Sequence, residues 1–175
     1  ALTVDALEEN PNQDFLGDLF MRFDLSNSWK GQFFTPYSLC KAMAKMSAGD
    51  LKSQIAEKHW ISANDPACGA GATLIAFANE CKDQGVNFQT SALFVAQDID
   101  RTAALMCYVQ LSLLGCPGYV VVGDSICNPA TGPILFPQCR EGQEIWYTPM
   151  FFSDIWICRR QIEIMRSIFE KGEPT

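Results

Sequence analysis

Three apolar runs, each closed by an acidic residue, constrain the fold more than anything else in this chain. A short run from about His59 to Ala63 leads into Asn64-Asp65-Pro66-Ala67-Cys68-Gly69-Ala70-Gly71-Ala72-Thr73. Ala92-Leu93-Phe94-Val95-Ala96 ends at Gln97-Asp98-Ile99-Asp100, and Tyr119-Val120-Val121-Val122 ends at Gly123-Asp124-Ser125. A continuous apolar run of this length reads as a parallel strand covered on both faces. Helical patterns separate the runs. Residues 72–82 turn Leu74, Ile75, Phe77 and Ala78 inward, and residues 101–114 carry Ala104, Leu105, Tyr108, Val109, Leu111 and Leu113. Strand, helix, strand, helix, strand predicts an α/β chain with two right-handed crossovers and a parallel sheet.

The flanks are less regular. Residues 1–57 read as a helical segment, with an apolar stripe at Phe15, Leu16, Leu19, Phe20 and Phe23. Gly31-Gln32-Phe33-Phe34-Thr35-Pro36 is a loop, and Thr35 or Ser38 is expected to cap a helix bearing Leu39, Met43 and Met46. Residues 58–175 carry the sheet, and the two parts are expected to form one compact unit. Past Asp124 the alternation is lost. Residues 128–142 are rich in Pro and Gly and read as a loop or hairpin. Glu144 to Phe152 reads as a strand, and Ser153 or Asp154 as the cap of a last helix reaching about Lys171. Trp146, Tyr147, Phe151, Phe152 and Trp156 are read as core or interface before base-stacking groups, and Arg159-Arg160 as a solvated helix face.

A net charge of -7 argues against a free-standing binder of duplex DNA, which needs a basic face. It does not exclude one module of a larger DNA-acting assembly. The eight cysteines show no Cys-x-x-Cys spacing and several lie in apolar helical patterns, as Cys81 and Cys107 do. They are expected to be reduced and buried in a cytoplasmic protein, with no metal site. The single histidine, His59, is read as structural or surface-facing. No apolar run approaches the roughly 20 residues of a membrane span. Ala1 is no initiator methionine, which fits a sequence that is trimmed or tagged.

In a parallel sheet Asp65, Asp98 and Asp124 end neighbouring strands along one edge, in register, beside the crevice where α/β sheets bind ligands. Such acids can divide one nucleoside ligand among them. Asp65 would meet an ammonium by the glycine turn, Asp98 would accept both ribose hydroxyls, and Asp124, with Ser125, would accept from the amine of adenine. The plainer alternatives are a tight turn at Gly69 and Gly71 without a ligand, a helix cap at Asp100, and a turn residue at Asp124.

Gly31 to Pro36, Asp65-Pro66-Ala67-Cys68-Gly69-Ala70-Gly71, Gln97 to Asp100 and Gly123-Asp124-Ser125 occur in this order. Together they resemble the cofactor motifs of N6-adenine DNA methyltransferases of the type I modification-subunit kind, over about residues 14–128. The resemblance implies a doubly wound, Rossmann-like methyltransferase fold and S-adenosylmethionine as cofactor. It implies that Phe34, Thr35 and Pro36 line the methionine and adenosine side. Asp65, Cys68, Gly69 and Gly71 would surround the methionine part, Asp98 and Ile99 the ribose, and Asp124 and Ser125 the adenine. Many relatives carry Glu where this chain has Asp98.

The family's Asn/Asp-Pro-Pro-Tyr/Phe loop, which grips the flipped adenine at the end of a fourth strand, has no match. The nearest string is Asn128-Pro129-Ala130-Thr131, only four residues past Asp124. A parallel crossover needs about a dozen, so Asn128 is read as a loop residue and the catalytic residues stay unassigned. The sheet is therefore expected to be cut short, leaving the first strand with an open edge. Glu144 to Phe152 is expected to cover that edge, or a second copy in a homodimer is. Adenine in DNA is the expected substrate, with a partner subunit or a missing segment supplying the base pocket. A catalytically silent binding module is the alternative.

Overall fold

The protein is described here by a computed structural model, which places residues 2–23 and 34–171. Gly31, Gln32 and Phe33 of the first motif lie outside the described residues. Four helices precede the sheet: α1 (Leu2–Glu9), α2 (Phe15–Arg22), α3 (Tyr37–Ala48) and α4 (Leu51–Lys58). Then come β1 (Ile61–Asp65), α5 (Ala72–Asp83), a short α6 (Phe88–Ser91), β2 (Ala92–Asp98), α7 (Arg101–Leu113) and β3 (Gly118–Val122). The chain ends with β4 (Glu144–Tyr147), a 3-10 turn at Pro149–Phe152 and α8 (Asp154–Lys171).

The sheet order is β1-β2-β3-β4. The first three strands are parallel and β4 runs antiparallel to β3. This is the α/β, partly parallel sheet that the alternating pattern predicts. β2 and β3 lie centrally and are buried along nearly their whole length. On one face Leu74, Ile75, Cys107 and Leu111 from α5 and α7 pack on Phe94, Ala96 and Val120. On the other, Leu93, Val95, Tyr119 and Val121 meet Leu135, Phe151 and Trp156, residues that all follow β3 in sequence.

Glu144 to Phe152 does not cover the first strand. Tyr119 pairs with Tyr147 and Val122 with Glu144, so the segment closes the opposite edge. An antiparallel neighbour can return through a loop, whereas reaching β1 would require crossing the width of the sheet. Thr148 fixes the return: its hydroxyl accepts from Gly118 N at 2.9 Å and donates to Cys116 O at 2.7 Å, fully buried. Among the described residues β1 has a strand on one side only.

Several helix ends differ from expectation. Pro36 occupies the N-cap of α3 with φ -54°, and neither Thr35 nor Ser38 supplies a side-chain cap. The preset proline φ starts this helix instead. Ser153 Oγ is buried without a partner, so it does not cap α8. Asp100 does cap α7, accepting from Thr102 N and Ala103 N. His59 ends α4 in the left-handed region, φ 67°. The Arg159-Arg160 pair is not a solvated face. Arg159 donates to Thr90 O and stacks over the Trp156 ring at 4.4 Å. Arg160 donates to Phe151 O and lies over the Phe151 ring at 4.2 Å. Both guanidinium planes find ring faces because α8 starts on the aromatic cluster. All eight cysteines are free and five are buried. Among the described residues no helix is long and apolar enough to cross a membrane.

Candidate functional site

The glycine turn joins β1 to α5. Cys68 N donates to Gln97 O at 3.0 Å, which draws the turn across the end of β2. Gly69 has φ +52° and Gly71 φ +98°. A Cβ at Gly69 would press on the Phe34 ring at 3.2 Å, and one at Gly71 would meet Cys107 Sγ at 2.9 Å. Both positions therefore demand glycine on backbone and on space. Gly71 also occupies the N-cap of α5 with no side-chain hydrogen bond. The helix opens with bare backbone donors, a setting that favours an anionic group.

Asp98 braces this turn. Its Oδ2 accepts from Gly69 N at 2.8 Å and its Oδ1 from Asp100 N at 2.8 Å. A carboxylate has about four lone-pair directions, so each oxygen keeps room for a hydroxyl. Asp65 Oδ1 accepts from Ala67 N at 3.1 Å. Asp124 Oδ1 accepts from Ile126 N at 2.8 Å and Cys127 N at 3.0 Å. Those backbone donors hold the Asp124 carboxyl below the ordinary value for an aspartate. Asp124 is thus a turn residue whether or not it also meets a ligand. The Cys68 thiol is pushed up by Cys107 beside it and by burial, so it is no thiolate nucleophile.

The three acids are not level. Asp65 pairs with Ala96, two residues short of Asp98, and Asp98 pairs with Val122, two residues short of Asp124. Each strand therefore carries its acid about 7 Å further along than the last. The stagger arises because each strand outruns its predecessor. Strand partners share a face, as do residues two apart. Hence Asp65 and Asp98 belong to the face of Ala96 and Val122, the α5 and α7 side, while Asp124 lies two residues past the end of β3, in the turn that follows.

Phe34, Thr35, Cys68 and Gly69 line one small cavity of about 50 Å³, with Asp14, Ala70 and Thr73. Phe34 also stacks on Phe20 of α2, ring centroids 5.6 Å apart. Pro36, Asp65, Gly71, Ile99, Asp98, Asp124 and Ser125 do not line that cavity. Asp65 lines a neighbouring cleft of about 310 Å³ with Met43, Ser62 and Leu74; Thr73 borders both hollows. Ile99 is 71% exposed at the tip of β2. The candidate residues are thus spread along the strand ends and two hollows and do not share one enclosed pocket. Asn128 lies in the loop after β3, its carbonyl accepting from Gln97 Nε2 and Gln143 Nε2.

Two polar groups went unread in the sequence. Gln110 is fully buried on the packed stripe of α7 with Ala103 and Cys107. It donates to Ala70 O at 2.8 Å and to Asp14 Oδ1 at 2.7 Å, and accepts from Leu16 N at 3.1 Å. Its position seven residues after Ala103 marks it as inward-facing, a signal available beforehand. Asp14 gives no such signal, because only the fold buries it.

A family model described as N-6 DNA methylase matches residues 12–161. The matched stretch takes in the approach to α2, the glycine turn, all three acid-tipped strands and the start of α8. DNA adenine is the substrate that fits such a family, and its members generally use S-adenosylmethionine. Neither curated proteins nor solved structures give a match to the chain. A match over this share of its length means that the chain belongs to the N-6 DNA methylase family.

Proposed function

We propose that this chain is the S-adenosylmethionine-binding part of an adenine-specific DNA methyltransferase, acting on the N6 amine of adenine in DNA. The observation that carries the reading is the braced turn. Two left-handed glycines stand before an uncapped helix start, tied to Asp98, on the sheet face that also bears Asp65. The bare backbone at Gly69 and Gly71 suits close approach of a ligand, and the α5 donors suit its carboxylate. S-adenosylmethionine bound there supplies an electrophilic methyl on a sulfonium.

In this reading Phe34, Thr35 and Pro36 form one wall, and Asp65, Cys68, Gly69 and Gly71 surround the methionine part. Asp98 accepts from the ribose hydroxyls with the lone pairs that Gly69 and Asp100 leave free. Ile99 covers the ribose side, and Asp124 with Ser125 takes the adenine amine. Segment 1–57 works with 58–175 as one unit, a reading supported by the bonds from Asp14 and Leu16 to Gln110. The cytoplasm, where DNA is present and thiols stay reduced, is the compartment it implies.

The net charge of -7 and the lack of an Asn/Asp-Pro-Pro-aromatic string in these residues both call for a partner subunit or a further segment to supply the DNA face and base pocket. Among the described residues no strand pairs with the outer edge of β1, which leaves it to such a partner or to a second copy of this chain. Those same two features also favour a second reading, a catalytically silent binding module.

Thermal-shift titration with S-adenosylmethionine tests cofactor binding, since a ligand of the native state alone adds about 2.7 kcal/mol at a hundred times its Kd. Asp98→Ala should remove most of that shift. A wild-type midpoint that ignores the ligand sinks the proposal. Transfer of labelled methyl to adenine-containing DNA, alone or with a partner, separates the enzyme from the silent module.

A further inference from the structure

Asp14 is an N-cap with an unusual cost. Its side chain caps α2 through Gly17 N at 2.9 Å, yet the residue is only 3% exposed. The first turn of α2 closes around it, so that a Cβ on Gly17 would run into the carboxylate. Gln110 Nε2 donates to the same Oδ1 at 2.7 Å. Ser or Asn would cap as well and carry no charge. A buried carboxylate normally has a cation beside it, but among the described residues none stands within ion-pair distance of Asp14. Burial pushes its pKa up, and the nearby Asp18 adds to that.

Asp14 also borders a hollow. Asp14 lines the cavity of about 50 Å³ together with Phe34, Thr35, Cys68 and Gly69. On this measure a single water needs about 10–15 Å³, so the hollow has room for a small charged group. Through Gln110, which also holds Ala70 O between the two glycines, Asp14 is linked to the turn itself. A buried acid with no cation beside it among the described residues, bordering a small hollow, is what a cationic ligand group requires.

We propose that Asp14 is the anionic wall of this cavity and binds a positively charged group of the cofactor, its ammonium or its sulfonium. The inference rests on the S-adenosylmethionine reading above and adds a ligand-binding residue from outside the glycine motif. Asp14 and Gln110 then act as a pair, one matching ligand charge and the other holding the turn in shape.

The test uses the whole chain with Asp14→Asn, which keeps an oxygen acceptor for Gly17 N and Gln110 while removing the charge. Asp14→Ser is a second uncharged cap if Asn fails to fold. Wild type and variants are titrated with S-adenosylmethionine, S-adenosylhomocysteine and 5′-methylthioadenosine, following the thermal midpoint. The ligand-free variant should melt at or above the wild-type midpoint, and its Kd for S-adenosylmethionine should rise at least about tenfold. If the Kd for S-adenosylhomocysteine rises equally, the ammonium is the group held; if it stays constant, the sulfonium is. Either result supports the proposal. Methylthioadenosine, which has neither charge, should bind both proteins alike; a parallel loss there marks a structural role and overturns it. Asp18→Asn removes an exposed acid of the same turn and should leave all three affinities unchanged. Unchanged S-adenosylmethionine affinity in Asp14→Asn overturns the inference alone, whereas a wild type that binds none of the ligands overturns the cofactor reading with it.

Discussion

Between Ile61 and Val122 the chain alternates strands with helices, the short α6 included, and the elements pack on their sequence neighbours. Between Gly123 and Phe152 it turns back once, lays β4 along β3 and covers the second face with a loop and an aromatic cluster. The first region is held by repeated helix-on-sheet burial, with Asp100 and the glycine turn setting the helix starts. The second hangs on a few large side chains and buried polar ties. Trp156 has no exposure, edge-stacks on Trp60 at 5.7 Å and donates to Gln89 O. Beyond Arg160 little of α8 is packed, and Ile162, Met165, Ile168 and Phe169 stay exposed. A repeated motif spreads its stability over many contacts, while a single return concentrates it.

Substitutions can break this contrast. The largest effect is expected at Trp156→Ala, which empties the aromatic cluster; removing so large a core side chain costs about 3–5 kcal/mol. Chemical denaturation gives the value, and a loss under about 1 kcal/mol would show that the second region is not anchored there. Gly71→Ala comes next. The left-handed backbone costs about 1–2 kcal/mol, and the new Cβ would press on Cys107 Sγ. Its equilibrium stability should fall by about 2–3 kcal/mol. Wild-type stability in that variant would mean the turn relaxes at no cost, against the reading of a tight, ligand-ready loop.

Thr148→Val sharpens the comparison. It leaves Gly118 N without its hydroxyl partner inside the core, worth about 1–3 kcal/mol. The loss should be accompanied by faster hydrogen exchange in β4 than in β1; uniform acceleration would contradict a local tie. The smallest effect concerns pH. Burial raises Asp14 above the ordinary aspartate value. A raised acid favours folding below the unfolded value of about 3.9, and that contribution is lost as pH rises through the folded one. Wild-type stability should therefore gain less from about pH 4 to about pH 7 than that of Asp14→Asn. Parallel pH curves for the two proteins would refute a raised Asp14.

The first region was legible because its signals are local. Asp100 announces a cap, Gly69 and Gly71 announce a turn, and unbroken apolar runs announce strands buried on both faces. The alternation alone determined the α/β sheet and put acids at the strand ends. Its motifs named the family, which the match over residues 12–161 then showed. Only the tertiary structure decided the stagger of Asp65, Asp98 and Asp124, because register depends on strand lengths and pairing that no single run contains. Tertiary structure also took Glu144–Tyr147 to β3 and not to β1, put Arg159 and Arg160 on aromatic rings, and buried Asp14 against Gln110. Those outcomes turn on which surface is nearest when distant segments meet, 96 residues apart in the case of Asp14 and Gln110. Local periodicity says which face of an element is apolar, and the packed chain alone says what that face will touch.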